Sequence, residues 1–216
     1  MAKPSPKSRP QALRQALQEQ TRAAYREAIL DAAEQVFLKD GFQSSKMVDV
    51  AEATGVSVGT LYNYFDSKDA VFLALAERHR TRYFGMLEQP FTSEDPIEQL
   101  HEFIDRSLGF VEKNGAVFSI YLRSTSPWLD GAVPTTPTMD PEEDNRRYTA
   151  QLAKLFAEGI KCGRLRDDFS VDELVWTLHS LLLAAILAWV GSPKQKGLVA
   201  RGHSLVQLFL EGASRK

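Results

Sequence analysis

Cysteine is almost absent from this sequence: Cys162 is the sole thiol in 216 residues. One thiol permits no intramolecular disulfide and no zinc site built from several cysteines, so a reducing compartment is expected and no metal or other cofactor is required. An apolar N-terminal stretch is also lacking. Met1-Ala2-Lys3-Pro4-Ser5-Pro6 carries charge and proline where a secretory signal needs hydrocarbon, and it reads as a disordered lead. The longest uninterrupted apolar run, Leu181 to Val190, has ten residues, and a membrane span needs about twenty. That run is assigned to a buried helix of a cytoplasmic protein with no membrane association. No segment alternates apolar and polar residues as a strand does, and none repeats. Neither sign of charge dominates, with a formal net charge of -2 and 25% charged residues. Any contact with nucleic acid must therefore come from local placement of charge.

Such placement exists at the start of the chain. Residues 1–26 hold Lys3, Lys7, Arg9, Arg14, Arg22 and Arg26 against the single acid Glu19. Residues 1–20 are expected as a flexible basic arm that adds non-specific affinity through phosphates. The 44% hydrophobic content suffices for a packed core, and its periodicity is helical. Tyr25, Ala28, Ile29, Ala32, Val36 and Phe37 recur every three or four residues and predict a helix over 21–39, stopped by Gly41. Two brief helices follow, one carrying Met47, Val50 and Ala51, the other Leu61 to Phe65. A long helix over 68–89 ends before Pro90. Further helices are marked by Leu100 to Val111, by a short segment over 116–123, by Tyr148 to Phe156, and by two last stretches. The first of these begins at Ser170-Val171-Asp172-Glu173, which has capping-box spacing; the second holds Leu198, Leu205, Val206, Phe209 and Leu210. Residues 124–141, with four prolines, read as a long loop. The domain reading is an arm over 1–20, a helix-turn-helix head over 21–67, a linking helix over 68–89, and a ligand-binding and dimerisation domain over 90–216. The fold class is all-α.

The informative stretch is Met47 to Phe65. Two helices that cross closely need a small side chain at the crossing, here Ala51, and a residue tolerant of positive φ in the turn, here Gly55 four positions later. Val56 and Leu61 are spaced to pin the second helix. Ser57 is placed as its N-cap, which directs first-turn N–H groups outward towards a phosphate. Gly59 and Thr60 add little bulk, so backbone can approach a groove. Thr60, Tyr62, Asn63 and Tyr64 then offer hydroxyl and amide groups suited to phosphates and base edges.

These residues, with Ile29-Leu30-Asp31-Ala32-Ala33, Phe37, Gly41-Phe42, Asp49-Val50-Ala51 and Ser67-Lys68-Asp69, resemble the tetracycline-repressor (TetR) family. The resemblance implies a three-helix DNA-binding head, a fourth helix linking it to a regulatory domain, and a homodimer formed through the last two helices. It implies that Thr60 reads bases and that Tyr62, Tyr64 and Lys68 contact phosphate. Ser45 is similar to the family's N-capping hydroxyl that touches the DNA backbone. Lys46 and Val58 depart from the pattern, the first from a small hydroxyl residue and the second from a common cation. Val58 thereby leaves room for a thymine methyl. The implied partners are an operator duplex, a second copy of the chain and a small-molecule effector, with repression relieved by ligand as the default and activation by ligand the open alternative.

Two other readings were weighed on residues. Gly55-Val56-Ser57-Val58-Gly59 matches a Gly-x-Ser-x-Gly nucleophile elbow, but that motif requires a strand before the serine, and the preceding residues are helical. No catalytic residue is assigned. A binding or interaction module that keeps the motif without regulating transcription is the alternative of another class. In the C-terminal domain Phe103, Phe110, Phe118, Tyr121, Trp128, Trp176 and His179 supply aromatic surface with sparse polar groups, as a ligand pocket needs. Leu174 to Trp189 is apolar nearly all round, which requires a second buried face and points to a partner chain.

Overall fold

A computed structural model describes residues 9–115, 118, 141–191 and 197–213. These hold α1 (Arg9–Asp40), α2 (Met47–Thr54), α3 (Val58–Tyr62), α4 (Lys68–Leu87), α5 (Pro96–Lys113), α6 (Pro141–Lys161), α7 (Val171–Gly191) and α8 (Leu198–Ala213). Among the described residues there is no strand, as the all-α expectation requires. Two compact units divide within α4, between Ala76 and Glu77.

The first unit is built on the periodic side of α1. Ile29, Leu30, Ala33, Val36 and Phe37 are buried with Val50 and Ala51 of α2, Leu61 of α3 and Val71, Phe72 and Leu75 of α4. Phe42 sits between two rings, 5.3 Å from Phe37 and 5.0 Å from Phe72. The helix starts at Arg9 instead of near residue 21, so residues 9–20, expected within a flexible arm, are helical. Their composition explains it: Gln11, Ala12, Leu13, Ala16, Leu17 and Gln18 all favour helix, and proline stops at position 10, where the first turn tolerates it.

The second unit buries Leu100, Phe103, Ile104, Leu108 and Val111 of α5 with Leu152 and Phe156 of α6, Leu174, Leu178 and Leu182 of α7, and Leu198, Val206 and Phe209 of α8. Asp95 accepts from the Ile97 N–H at 2.8 Å and Pro96 takes the first helical position, which starts α5. The capping box at α7 forms as expected. Ser170 Oγ accepts from the Glu173 N–H at 3.2 Å, while the Glu173 carboxylate accepts from the Ser170 N–H at 2.7 Å. Bonds donated to the carboxylate by the Ser170 hydroxyl, at 2.7 Å, and by the Ser170 N–H hold the Glu173 carboxyl below the usual carboxylate range. Of the expected 116–123 helix and 124–141 loop, only Phe118 and Pro141 are among the described residues, and Pro141 already belongs to α6.

Helices α5 and α8 meet at Gly202. A Cβ there would stand 2.0 Å from Leu108 Cδ1 and 3.7 Å from Ile104 Cγ2. Gly202→Val therefore has to displace the buried Leu108 side chain, and overpacking of that kind costs about 1–3 kcal/mol. Urea unfolding should report that loss, and an unmoved midpoint would show that the crossing yields without strain.

Candidate nucleic-acid interface

The turn between α2 and α3 is made by one residue. Gly55 has φ 77 and ψ 21, and its N–H and that of Val56 bond back to the carbonyls of Glu52 and Ala51, each at 3.1 Å. A Cβ at Gly55 would meet nothing within 4 Å, so the requirement is the left-handed backbone and not space. Beyond the turn, Ser57 caps α3 as expected: its Oγ accepts from the Thr60 N–H at 3.0 Å and lies 2.8 Å from Thr60 Oγ1. One first-turn N–H is thereby satisfied inside the protein.

Leu61 alone anchors α3 in the core. Around it Ser57, Val58, Gly59, Tyr62 and Asn63 are exposed, Tyr62 by 48%, while Thr60 and Tyr64 are half-buried. Seven expected residues thus lie on or beside one short element, five of them exposed. Lys46 is exposed at the entry to α2, where its N–H donates to the Asp49 carboxylate at 2.7 Å.

Three expected contacts read differently in place. Ser45 is 2% exposed, and its hydroxyl donates to the Phe42 carbonyl at 2.9 Å, so it presents nothing to a ligand. It precedes the N-cap by one residue and turns into the head. Lys68 differs further from the expectation. Its ammonium donates to the carbonyls of Phe42 at 2.6 Å, Gln43 at 3.2 Å and Ser45 at 2.8 Å, and sits 4.5 Å from the centre of the Phe42 ring. An ammonium has three protons, and all three are engaged. Lys68 clamps the α1–α2 connection. Tyr64 stacks on Tyr25 with ring centres 6.0 Å apart, and its carbonyl accepts from Arg26 at 3.4 Å, so its ring is partly structural.

The sequence reading did not include a cleft of about 500 Å³ beside α3. It is lined by Leu17, Gln18, Thr21 and Arg22 of α1 with Thr60, Asn63 and Tyr64. The four-residue spacing of Arg14, Gln18 and Arg22 was the available signal.

In the second unit the aromatic set is divided. Phe103 is fully buried, with its ring 5.1 Å from that of Tyr148, which lies 5.4 Å from His179. Phe110 packs 5.3 Å from Tyr83, and Phe118 lies against the core. Trp176 is 64% exposed and turns outward, although its ring stands 6.3 Å from His179. Tyr121 and Trp128 lie outside the described residues. Three groups were missed. Ser107, a hydroxyl within the buried stripe of α5, bonds to Tyr83 Oη at 2.7 Å and to Tyr148. Burial pushes the Tyr148 phenol up to about 12 and lowers the His179 imidazole, so both are neutral at neutral pH. Among the described residues no group of three or more His, Cys, Asp or Glu is placed to hold a metal.

Residues 29–75 match the family model of bacterial regulatory proteins, tetR family. The chain is 23% identical over 192 residues to a fatty acid metabolism regulator protein of Bacillus subtilis, covering 87% of this chain and 95% of the relative. It is 24% identical over 194 residues to the HTH-type transcriptional repressor BepR of Brucella suis, covering 88% and 91%. Among solved structures it resembles the transcriptional regulator FadR of Bacillus subtilis in complex with stearoyl-CoA, with a TM-score of 0.65 at 20% identity over 86% of this chain and 98% of that one.

Substitutions separate the clamp from the exposed face. Lys68→Met takes the ammonium from the Gln43 and Ser45 carbonyls and leaves that of Phe42 with only the Ser45 hydroxyl, and it should destabilise the head by about 1–3 kcal/mol in urea unfolding. Gly59→Leu meets only Ser57 Oγ, 3.9 Å from the added Cβ, so folding should hold within ~0.5 kcal/mol while duplex binding is lost. A Lys68→Met protein with unchanged stability would refute the clamp.

Proposed function

The chain belongs to the tetR family of bacterial regulatory proteins, and on that premise we propose a transcriptional repressor that holds a near-palindromic operator as a homodimer and releases it when a small molecule binds the second unit. The observation that carries this reading is the exposed side of α3. A five-residue helix with one buried anchor adds little to a core, whereas its hydroxyl, amide and small residues suit a major groove about 12 Å wide. Thr60, Asn63 and Val58 are the base-edge candidates; Tyr62, Tyr64 and Lys46 are the backbone candidates.

Support for a second copy comes from α7. Its residues Leu174, Val175, Leu178, Leu182, Ala185 and Ile186 are buried, while Trp176, Thr177, Ser180, Leu183, Ala184, Leu187 and Ala188 form the outward stripe. On α8, Leu208 is 64% exposed with Ser204 one turn before it. Two such helix pairs related by a two-fold axis make a four-helix interface with small residues at its centre. The two heads then meet half-sites about 34–36 Å apart.

Effector response is assigned to the neutral network of Tyr83, Ser107, Tyr148 and His179 with Phe103 and Phe110. Tyr83 lies on α4, the helix whose first half carries Val71, Phe72 and Leu75 in the head core. An apolar molecule bearing one or two hydrogen-bonding groups, inserted at Ser107, changes what Tyr83 bonds to and so biases that helix.

Selection from a random duplex pool should return a motif with two-fold symmetry; salt-sensitive binding without any motif would defeat the regulator reading. Leu183→Asp should sediment as a monomer and bind the selected duplex about 100-fold more weakly, since the two heads no longer act together.

A further inference from the structure

We propose that the cleft between α1 and α3 seats one phosphodiester strand of the bound duplex, with Arg22 and Gln18 as contacts that extend the footprint beyond the recognition helix. The inference rests on the function proposed above and adds a site to it. Four observations converge. No residue lining the cleft is acidic, and its polar groups include the Gln18 and Asn63 amides and the Arg22 guanidinium. Arg22 is exposed and lies over the Tyr64 ring at 5.9 Å, with no carboxylate partner among the described residues. The cleft opens alongside Thr60 and Asn63, so a strand bordering a groove occupied by α3 meets it directly. Finally, α1 continues for twelve residues beyond Thr21 in the N-terminal direction with every described side chain exposed, so the row of donors that leads out of the cleft is open to a ligand.

The geometry favours a backbone contact over a base contact. Arg14, Gln18 and Arg22 recur every four residues and share one side of α1, which makes a row of donors about 12 Å long. A row of that length follows successive phosphates along a strand. Thr21 is not counted among the donors, since its hydroxyl is bonded to the Leu17 carbonyl at 2.8 Å.

The test uses the full chain and a duplex chosen by selection, with binding followed by fluorescence anisotropy from about 50 to 200 mM salt. Arg22→Gln should weaken binding about tenfold at low salt, reduce the salt slope by about 0.9 for each protomer, and leave base preference unchanged. Arg22→Lys should restore the slope. Neutral methylphosphonate linkages scanned along the duplex should contain one position that weakens the wild-type protein and not the Arg22→Gln protein. If Arg22→Gln perturbs the thermal midpoint, Gln18→Ala carries the test, with a loss of about threefold expected and the same neutral linkage blunted. Unchanged affinity and slope, on a duplex that Thr60→Val still discriminates by sequence, would overturn the cleft and leave the regulator standing. A wild-type protein indifferent to every duplex would overturn both.

Discussion

Three backbone carbonyls converge on one ammonium at the centre of the head. The connection after α1 turns at Gly41, φ 80, and its next carbonyls at Phe42, Gln43 and Ser45 lie outside any helix whose N–H groups could donate to them. Lys68, the first residue of α4, satisfies all three. The end of α1, the entry to α2 and the start of α4 are thereby held by a single side chain. The position of α3 depends on that junction together with the Gly55 turn, the Leu61 anchor and the contacts of Tyr64 and Phe65 with α1. A recognition element this short has little stability of its own, so its orientation is inherited from the three helices that Lys68 gathers.

The same economy explains which side chains are available for a ligand. Polar groups close to the junction are consumed in holding it: the Ser45 hydroxyl at Phe42, the Ser57 hydroxyl at Thr60, and the Arg26 guanidinium, 4.3 Å from the Phe65 ring centre. Groups one step further out, at Val58, Gly59, Tyr62, Asn63 and Arg22, are exposed. In the second unit α4 is held on its other half, where Arg80 pairs with Asp144 at 2.6 Å and Arg147 lies 4.0 Å from the Phe84 ring centre. Each half of the helix thus has its own attachments.

Local features were legible in the sequence because their causes are local. Gly55, Ser57 and Leu61 announce a turn, a cap and an anchor within seven residues, and Ser170 with Glu173 announce a capping box within four. What was not legible depends on partners far away in the chain. The role of Lys68 is decided by carbonyls 23 to 26 residues earlier, and an ammonium beside a DNA-binding motif reads naturally as a phosphate ligand when those carbonyls are unseen. The burial of Ser45 and the outward turn of Trp176 follow from packing that periodicity alone does not determine. Ser107 was visible as a lone hydroxyl among Leu100, Phe103, Ile104, Leu108 and Val111, but the two tyrosines that give it meaning lie on α4 and α6.

Helix α7 tests the reading of an apolar helix from composition. Taken as a helix and not as an unbroken run, Val171–Val190 has a mean hydropathy of 1.7 and is long and apolar enough to cross a membrane. Its two sides nevertheless differ in kind. Leucine, valine and isoleucine on one side are buried against α5, α6 and α8 in the core of the second unit, whereas the outward stripe mixes Trp176, Leu183 and Leu187 with Thr177, Ser180, Ala184 and Ala188. Lipid would reward bulk along that whole side. The small residues instead let another helix approach closely, and the large ones gain roughly 25 cal/mol for each Å² of apolar surface removed from water when it does. The helix is thus committed to a core on one side and mixes small with large residues on the other.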